Sequence, residues 1–178
     1  MNKKLDRRKK YTRMVLKNSL ITLLKEKPIS SITVKEICEN ADINRSTFYA
    51  HYSNPFDLLE QIEEEIITDL NSYLSQYNFE KEEEALQMTE KLLEYVASKH
   101  DIFRTLLNEN RDHSFERRIM DVARTFLDNH EDIPDISAYA GTFVISGSIY
   151  VIKHWLANNM DQSPKQIAQL INRFKVIE

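Results

Sequence analysis

The chain has 178 residues, 42% of them hydrophobic, with two glycines, four prolines, one cysteine and a formal charge of −4. That length accommodates one domain, or a small domain joined to a larger one, and either can bury a core. Long periodic runs with so little Gly and Pro exclude a sheet protein and predict an all-α fold, while a single cysteine excludes an internal disulfide framework and suits a reducing compartment.

The charge is unevenly placed. Residues 1–51 hold 12 Lys+Arg against 5 Asp+Glu, and residues 52–178 hold 12 against 23. A basic third on an acidic body can attract phosphate to one end only; a solvated lysine-rich tail is the plainer reading of charge alone. The charged N-terminus lacks a following apolar segment, which argues against a signal peptide. The run from Ala138 to Ile152 contains Thr142, Ser146 and Ser148 and falls short of the roughly 20 residues of a membrane span. A soluble cytoplasmic protein with no membrane partner is the expectation.

In chain order, Met1 to Lys10 is expected to be disordered or nearly so. A first helix should begin near Arg7 to Tyr11, present Leu16, Leu20, Leu23 and Leu24 on one face, and stop at Pro28. Lys25 and Lys27 would complement its negative end, whereas Lys9, Lys10 and Arg13 near its start suit phosphate contacts. Thr33 with Glu36 reads as a capping box, and Ile32 with Ile37 as a hydrophobic staple, so a short helix should run to about Asn40 with Ile37 and Cys38 inward. Ala41-Asp42 makes a turn, and Asn44 caps a second helix with Ile43 and Phe48 in staple positions. Arg45, Ser46, Thr47, Tyr49 and His51 then surround a small apolar anchor, the layout of a major-groove reader.

Asn54, Pro55 and Asp57 start a long helix, with Leu59, Ile62, Ile66, Leu70 and Leu74 inward and Glu60, Glu63, Glu64 and Asp69 largely outward. It should link a domain over 8–53 to a second over 54–178. From about Glu82, Leu86, Thr89, Leu92, Leu93 and Val96 predict an amphipathic helix ending near Lys99-His100, and Asp101 should cap a short helix holding Ile102, Phe103, Leu106 and Leu107. A helix from His113 through Leu127 should bury Phe115, Ile119, Val122, Ala123, Phe126 and Leu127 before Pro134 breaks the chain.

Asp135 to Asn158 is apolar or small almost all round and must be covered on more than one side. Gly141, Ser146, Gly147 and Ser148 permit close backbone approach there. Ser163-Pro164-Lys165-Gln166 opens a last helix with Ile167, Leu170, Ile171, Phe174 and Ile177 on one face. Two such helices carry more apolar surface than a small domain easily buries. A four-helix homodimer interface through Phe143, Gly147, Val151, Ile167, Leu170, Ile171 and Phe174 is therefore expected, an internal core being the alternative.

The run ITVKEICENADINRSTFYAHYSNPFDLL resembles the DNA-binding domain of the TetR/AcrR family of bacterial transcriptional regulators, over roughly residues 8 to 60. The run AGTFVISGSIYVIKHWLANNMDQSPKQIAQLI is similar to the ligand-binding and dimerisation domain of Gram-positive members, including relatives of the dihydroxyacetone kinase operon activator. The resemblance implies an all-helical homodimer on a palindromic double-stranded operator, usually a repressor released by a small-molecule effector; the activator relative leaves the sign open. By position, Thr33 resembles a phosphate-touching helix start, Ala41-Asp42-Ile43 the turn, and Asn44, Arg45, Ser46 and Thr47 the first side chains of the recognition helix. Tyr49, His51 and Tyr52 match its aromatic-rich end. Asp42 stands where glycine is frequent, and Pro55 replaces a common lysine, which takes away one phosphate-binding side chain.

The residues themselves support the same reading. Arg45 is the expected base reader, since a guanidinium pairs with guanine O6 and N7, and Asn44 or Ser46 could contact neighbouring bases. Thr33, Thr47, Tyr49 and the N-terminal lysines would hold phosphates. The bland alternatives are a helix-surface Arg45 bonded to Glu39 or to solvent, and local packing of Thr47 and Tyr49. Tyr95, Phe103, Arg104, Tyr150, His154 and Trp155 are candidate linings of an effector site, although each alone is more often core or interface than pocket. His51, His100, His113, His130 and His154 form no ligand set, and Cys38 reads as a small core residue, so no metal, cofactor or enzymatic activity is implied. The rival function is a non-catalytic co-regulator of the same fold acting through a protein partner, activation included.

Overall fold

The computed structural model describes residues 3–76, 82–108, 113–128 and 135–174, and every α or β element among them is an α-helix. In order these are α1 (Lys3–Leu24), α2 (Val34–Ala41), α3 (Arg45–Tyr49), α4 (Pro55–Leu74), α5 (Glu82–Ser98), α6 (His100–Leu106), α7 (Ser114–Asp128), α8 (Asp135–Ala157) and α9 (Pro164–Arg173). A single 3-10 turn, Ile29–Ser31, precedes α2. The chain divides into two compact units, Met1–Glu65 and Ile66–Glu178, with the division inside α4. His130, Pro134 and Ile177 lie outside the described residues.

In the first unit, Leu16, Leu20 and Leu24 of α1 are buried, as are Ile37, Phe48, Leu58 and Ile62. The hydroxyl of Ser19 donates to the carbonyl of Ile37 at 2.8 Å, a buried bond from α1 to α2. An ion pair between Lys17 and Glu65 joins α1 to α4. The basic start, expected to be disordered, is helical from Lys3, because Lys, Arg and Leu are good helix formers and no Gly or Pro interrupts them. The helix ends at Leu24, ahead of Pro28, through turn bonds from the amides of Lys25 and Glu26 to Thr22 and Leu23. In α4 the fully buried residue of the first turns is Leu58, and Leu59 is half-buried. Asn54 Oδ1 accepts from the Asp57 amide at 3.0 Å while Asp57 accepts from the Ser53 amide at 2.7 Å. That cap sets the phase, and Leu58, Ile62, Ile66, Leu70 and Leu74 follow as an i, i+4 row.

The second unit buries Met88, Leu93 and Val96 of α5, Phe103 and Leu106 of α6, Ile145, Ile149, Trp155 and Leu156 of α8, and Ile167, Ala168 and Ile171 of α9. Its aromatic spine passes from Tyr73 to Tyr95, Phe103 and Phe115 at centroid separations of 5.2, 5.9 and 6.3 Å. Asp69, expected to face outward, accepts from the Tyr95 hydroxyl at 2.6 Å and from Lys99 at 3.0 Å. Leu86 and Leu92 are only half-buried, their places in the core being taken by Ala85, Met88 and Tyr95. Asp101 lies in the first turn of α6 and does not cap it; Lys99 holds the cap position, its side chain bonded to Asp69 and not to the helix start. In α7 Phe115 is buried, but Ile119, Val122, Ala123, Phe126 and Leu127 are only half-buried. Ser163 and Gln166 form the capping box of α9, with Pro164 at its first turn. No helix among the described residues is long and apolar enough to cross a membrane.

Candidate nucleic-acid interface

The α2–turn–α3 segment is fixed almost entirely by local bonds. The hydroxyl of Thr33 accepts from the Glu36 amide at 3.3 Å and donates to the Glu36 carboxylate at 2.8 Å, while the Thr33 amide donates to the same carboxylate at 2.9 Å. Lys27 donates to the other carboxylate oxygen. Lys27 thus supports the start of α2 and not the end of α1, where the sequence suggested it. Its bond, followed by those from Thr33, lowers the Glu36 pKa to about 2. Glu36 is consequently ionised across the physiological range and the cap stays closed.

Asp42 ends α2 in the left-handed region, φ 51° and ψ 45°, and the amide of Ile43 reaches back to Cys38 O at 3.0 Å. Asp tolerates this conformation, which explains why the turn works without glycine. Asn44 then caps α3, its Oδ1 accepting from the Ser46 amide at 3.0 Å and the Ser46 hydroxyl at 3.1 Å. Phe48 is fully buried beneath this short helix, Cys38 is buried beside Ile37, and burial raises the Cys38 thiol pKa. Asn44, Arg45, Ser46 and Tyr49 remain exposed, and Thr47 is half-buried. Tyr49 stands edge-on to Phe48 at 5.6 Å yet is 60% exposed, so its ring is propped from behind and its far side is open.

Arg45 makes no bond to Glu39, whose carboxylate instead lies 3.8 Å from Lys35. Among the described residues, Arg7, Arg8, Lys9, Lys10, Arg13 and Arg45 have no ion-pair partner, whereas Lys17, Lys27 and Lys35 each have one. The uncompensated cations of the first unit therefore gather at the start of α1 and on α3. His51 links the two places. Its pKa is lowered by partial burial, then by the positive fields of Arg13 and Lys9, which puts the start of α1 beside the chain just after α3. Tyr52 packs in the core at 2% exposure, and its hydroxyl has no partner among the described residues. Arg7 and Arg8, which the expected set leaves out, are exposed on α1 next to Lys9 and Lys10.

The other expected sites distribute as follows. Tyr95 and Phe103 are buried and touch edge-on, whereas Arg104, Tyr150 and His154 are exposed. Trp155 is buried with its indole N–H donating to Gln162 O at 2.8 Å, and Arg104 donates to Asn159 Oδ1 at 3.3 Å. Only Tyr95 and Phe103 of these six are brought together by a ring contact. Of the expected interface residues, Ile167 and Ile171 turn into the core of their own unit and Val151 is half-buried. Phe143, Gly147, Leu170 and Phe174 are exposed, with Tyr139 and Tyr150 also outward on α8. A Cβ at Gly147 would meet nothing within 4 Å. No group of three His, Cys, Asp or Glu stands ready to hold a metal among the described residues.

An all-α chain with a capped pair of short helices under an open cationic face is built as a helix-turn-helix regulator. The TetR family model described as "Transcriptional regulator C-terminal region" matches residues 83–175, more than half of the chain, and the chain belongs to the TetR family of transcriptional regulators. This is a family of regulators, not of enzymes. The chain is 24% identical over 164 residues to the uncharacterized HTH-type transcriptional regulator YxbF of Bacillus subtilis (strain 168), covering 88% of this chain and 42% of that protein. It thus spans less than half the length of that curated relative. In fold it is similar to a TetR transcriptional regulator from Streptococcus agalactiae 2603V, with TM-score 0.65, 22% identity and 96% of each chain covered. It is also similar to the dihydroxyacetone kinase operon activator DhaS, with TM-score 0.61, 18% identity, and 93% of this chain and 94% of that one covered.

Proposed function

We propose that this regulator binds a palindromic DNA operator as a homodimer, represses from it, and is released by a small-molecule effector. The observation that carries the reading is the gathering of unpaired cations around α3, where Arg45 is exposed with no bond to a neighbour. Arg45 reads guanine, with Asn44 and Ser46 at adjoining bases; the local bond between those two leaves the Asn44 amide group to donate. Thr47, Tyr49, His51, Lys9, Lys10 and Arg13 hold backbone phosphates, whereas Thr33 gives both its donors to Glu36 and takes no direct part. The exposed apolar residues of α8 and α9, Phe143, Leu170 and Phe174 among them, form the two-fold seam. Effector binding in the second unit, near Tyr95 and Phe103, acts on α4 and shifts the dimer away from the roughly 34–36 Å spacing of successive major grooves.

Salt-dependent binding to DNA from just upstream of the protein's own gene, against a scrambled duplex of equal length, tests this. Preferential binding that weakens steeply with salt is expected. Equal binding to both duplexes, and no enrichment from a random duplex library, would instead favour a co-regulator working through a protein partner.

A further inference from the structure

Arg7 to Tyr11 are all exposed, and the first buried side chain among those described in α1 is Thr12. A helix packed along one face buries a residue every three or four positions, so five exposed residues in succession span more than a turn with no side against the core. The stretch of α1 from Arg7 to Tyr11 is thus a free-standing helical arm. Four of these five residues are cations, and none has an ion-pair partner among the described residues. Like charges three or four apart repel, and cations at a helix start oppose its dipole, so the arm carries an electrostatic cost that a polyanion offsets.

The arm is rooted beside α3, where Lys9 and Arg13 act on His51. At 1.5 Å per residue, the helix from Thr12 back to Lys3 covers about 14 Å, or about four base-pair steps. It is too wide for the minor groove, and with α3 taking the major groove of the half-site in the reading above, the outer backbone is its track.

We infer that the α1 arm is a DNA contact separate from the reading helix, in which Arg7 and Arg8 grip phosphates of the duplex flanking each operator half-site. The inference rests on the DNA-binding reading above. It adds affinity and footprint without sequence preference, and the arm gains order when flanking duplex is present.

The test uses the full chain and an operator duplex selected from a random library, made with flanks of about one and about eight base pairs. Wild type should prefer the long-flank duplex by roughly tenfold, and R7Q/R8Q should bind both alike while still preferring operator over scrambled sequence. The long-duplex salt slope should fall by about 0.9 for each phosphate that the double variant no longer neutralises. Amides of Arg7 to Tyr11 should be protected from hydrogen exchange by the long duplex and not by the short one. A wild type that reads the operator but ignores flank length, or a double variant that keeps the flank preference and slope, overturns the arm alone. A wild type that does not distinguish operator from scrambled DNA overturns the DNA-binding reading and the arm with it. Protection of the arm by polyglutamate but not by DNA would point to an acidic protein partner and also overturn it.

Discussion

The α2–α3 segment and the α8–α9 pair both present incomplete surfaces, but their chemistry is opposite. Around α3 the backbone ends are closed by Thr33, Glu36 and Asn44, and what remains open is positive charge on Arg45 and on Arg7 to Arg13 of α1. On α8, Tyr139, Phe143 and Tyr150 are 80%, 62% and 58% exposed, and Leu170 of α9 and its C-cap Phe174 lie outward. The first surface suits a polyanion and the second suits another apolar face, the two partners of the proposed function. The lesson is that one chain can leave two surfaces unsatisfied in opposite ways, so that no one kind of partner suits both.

The largest effect should come from undermining the first surface from below. Phe48 is fully buried under α3, and Phe48→Ala removes the anchor on which the short helix sits. A loss of about 3–5 kcal/mol in unfolding free energy is expected, measured by urea titration. A loss below about 1 kcal/mol would mean that α3 is not held by this ring. The second surface breaks differently. Phe143→Glu places a charge where apolar contact is expected and should weaken self-association by more than about 2 kcal/mol, seen as a dimer-to-monomer shift in sedimentation velocity. An unchanged sedimentation coefficient would remove the exposed side of α8 from the seam.

Arg45→Ala separates reading from attraction within the first surface. It should cost about 1–3 kcal/mol of discrimination between operator and scrambled DNA while leaving fold stability alone, because Arg45 is exposed and bonds to no neighbour. Retained discrimination would assign the base reading to Asn44 or Ser46.

How much of each surface is legible in the sequence follows from how local its causes are. The caps at Thr33, Asn44 and Ser163 need residues three or fewer positions apart, and all three stand where the spacing put them. The bond from Ser19 to the Ile37 carbonyl joins residues 18 apart and leaves no periodic trace. Asp69 is the partly exposed acid the α4 pattern implies, but its bonds to Tyr95 and Lys99, 26 and 30 residues away, leave no trace in that pattern. Ile167 and Leu170 share an apolar stripe in sequence, yet Ile167 turns into the core and Leu170 outward. A stripe wide enough to serve two interfaces does not say which residue serves which.

The smallest expected effect sharpens the contrast on the local side. Thr33→Ala opens the capping box of α2 and should cost about 1 kcal/mol in stability, with little change in self-association. The same box has a pH signature. Glu36 has a folded pKa of about 2 against an ordinary value of 4.5, so its contribution is complete above about pH 4.5 and disappears as pH falls through about 2. Below both values the carboxyl is protonated in folded and unfolded chains alike, and no preference for folding remains from it. Glu36→Gln should therefore lower stability near pH 7 and converge on wild type toward pH 2, as followed by thermal unfolding across that range. A difference that stayed constant with pH would show that the loss came from packing around the side chain and not from its charge-assisted bonds to Lys27 and Thr33.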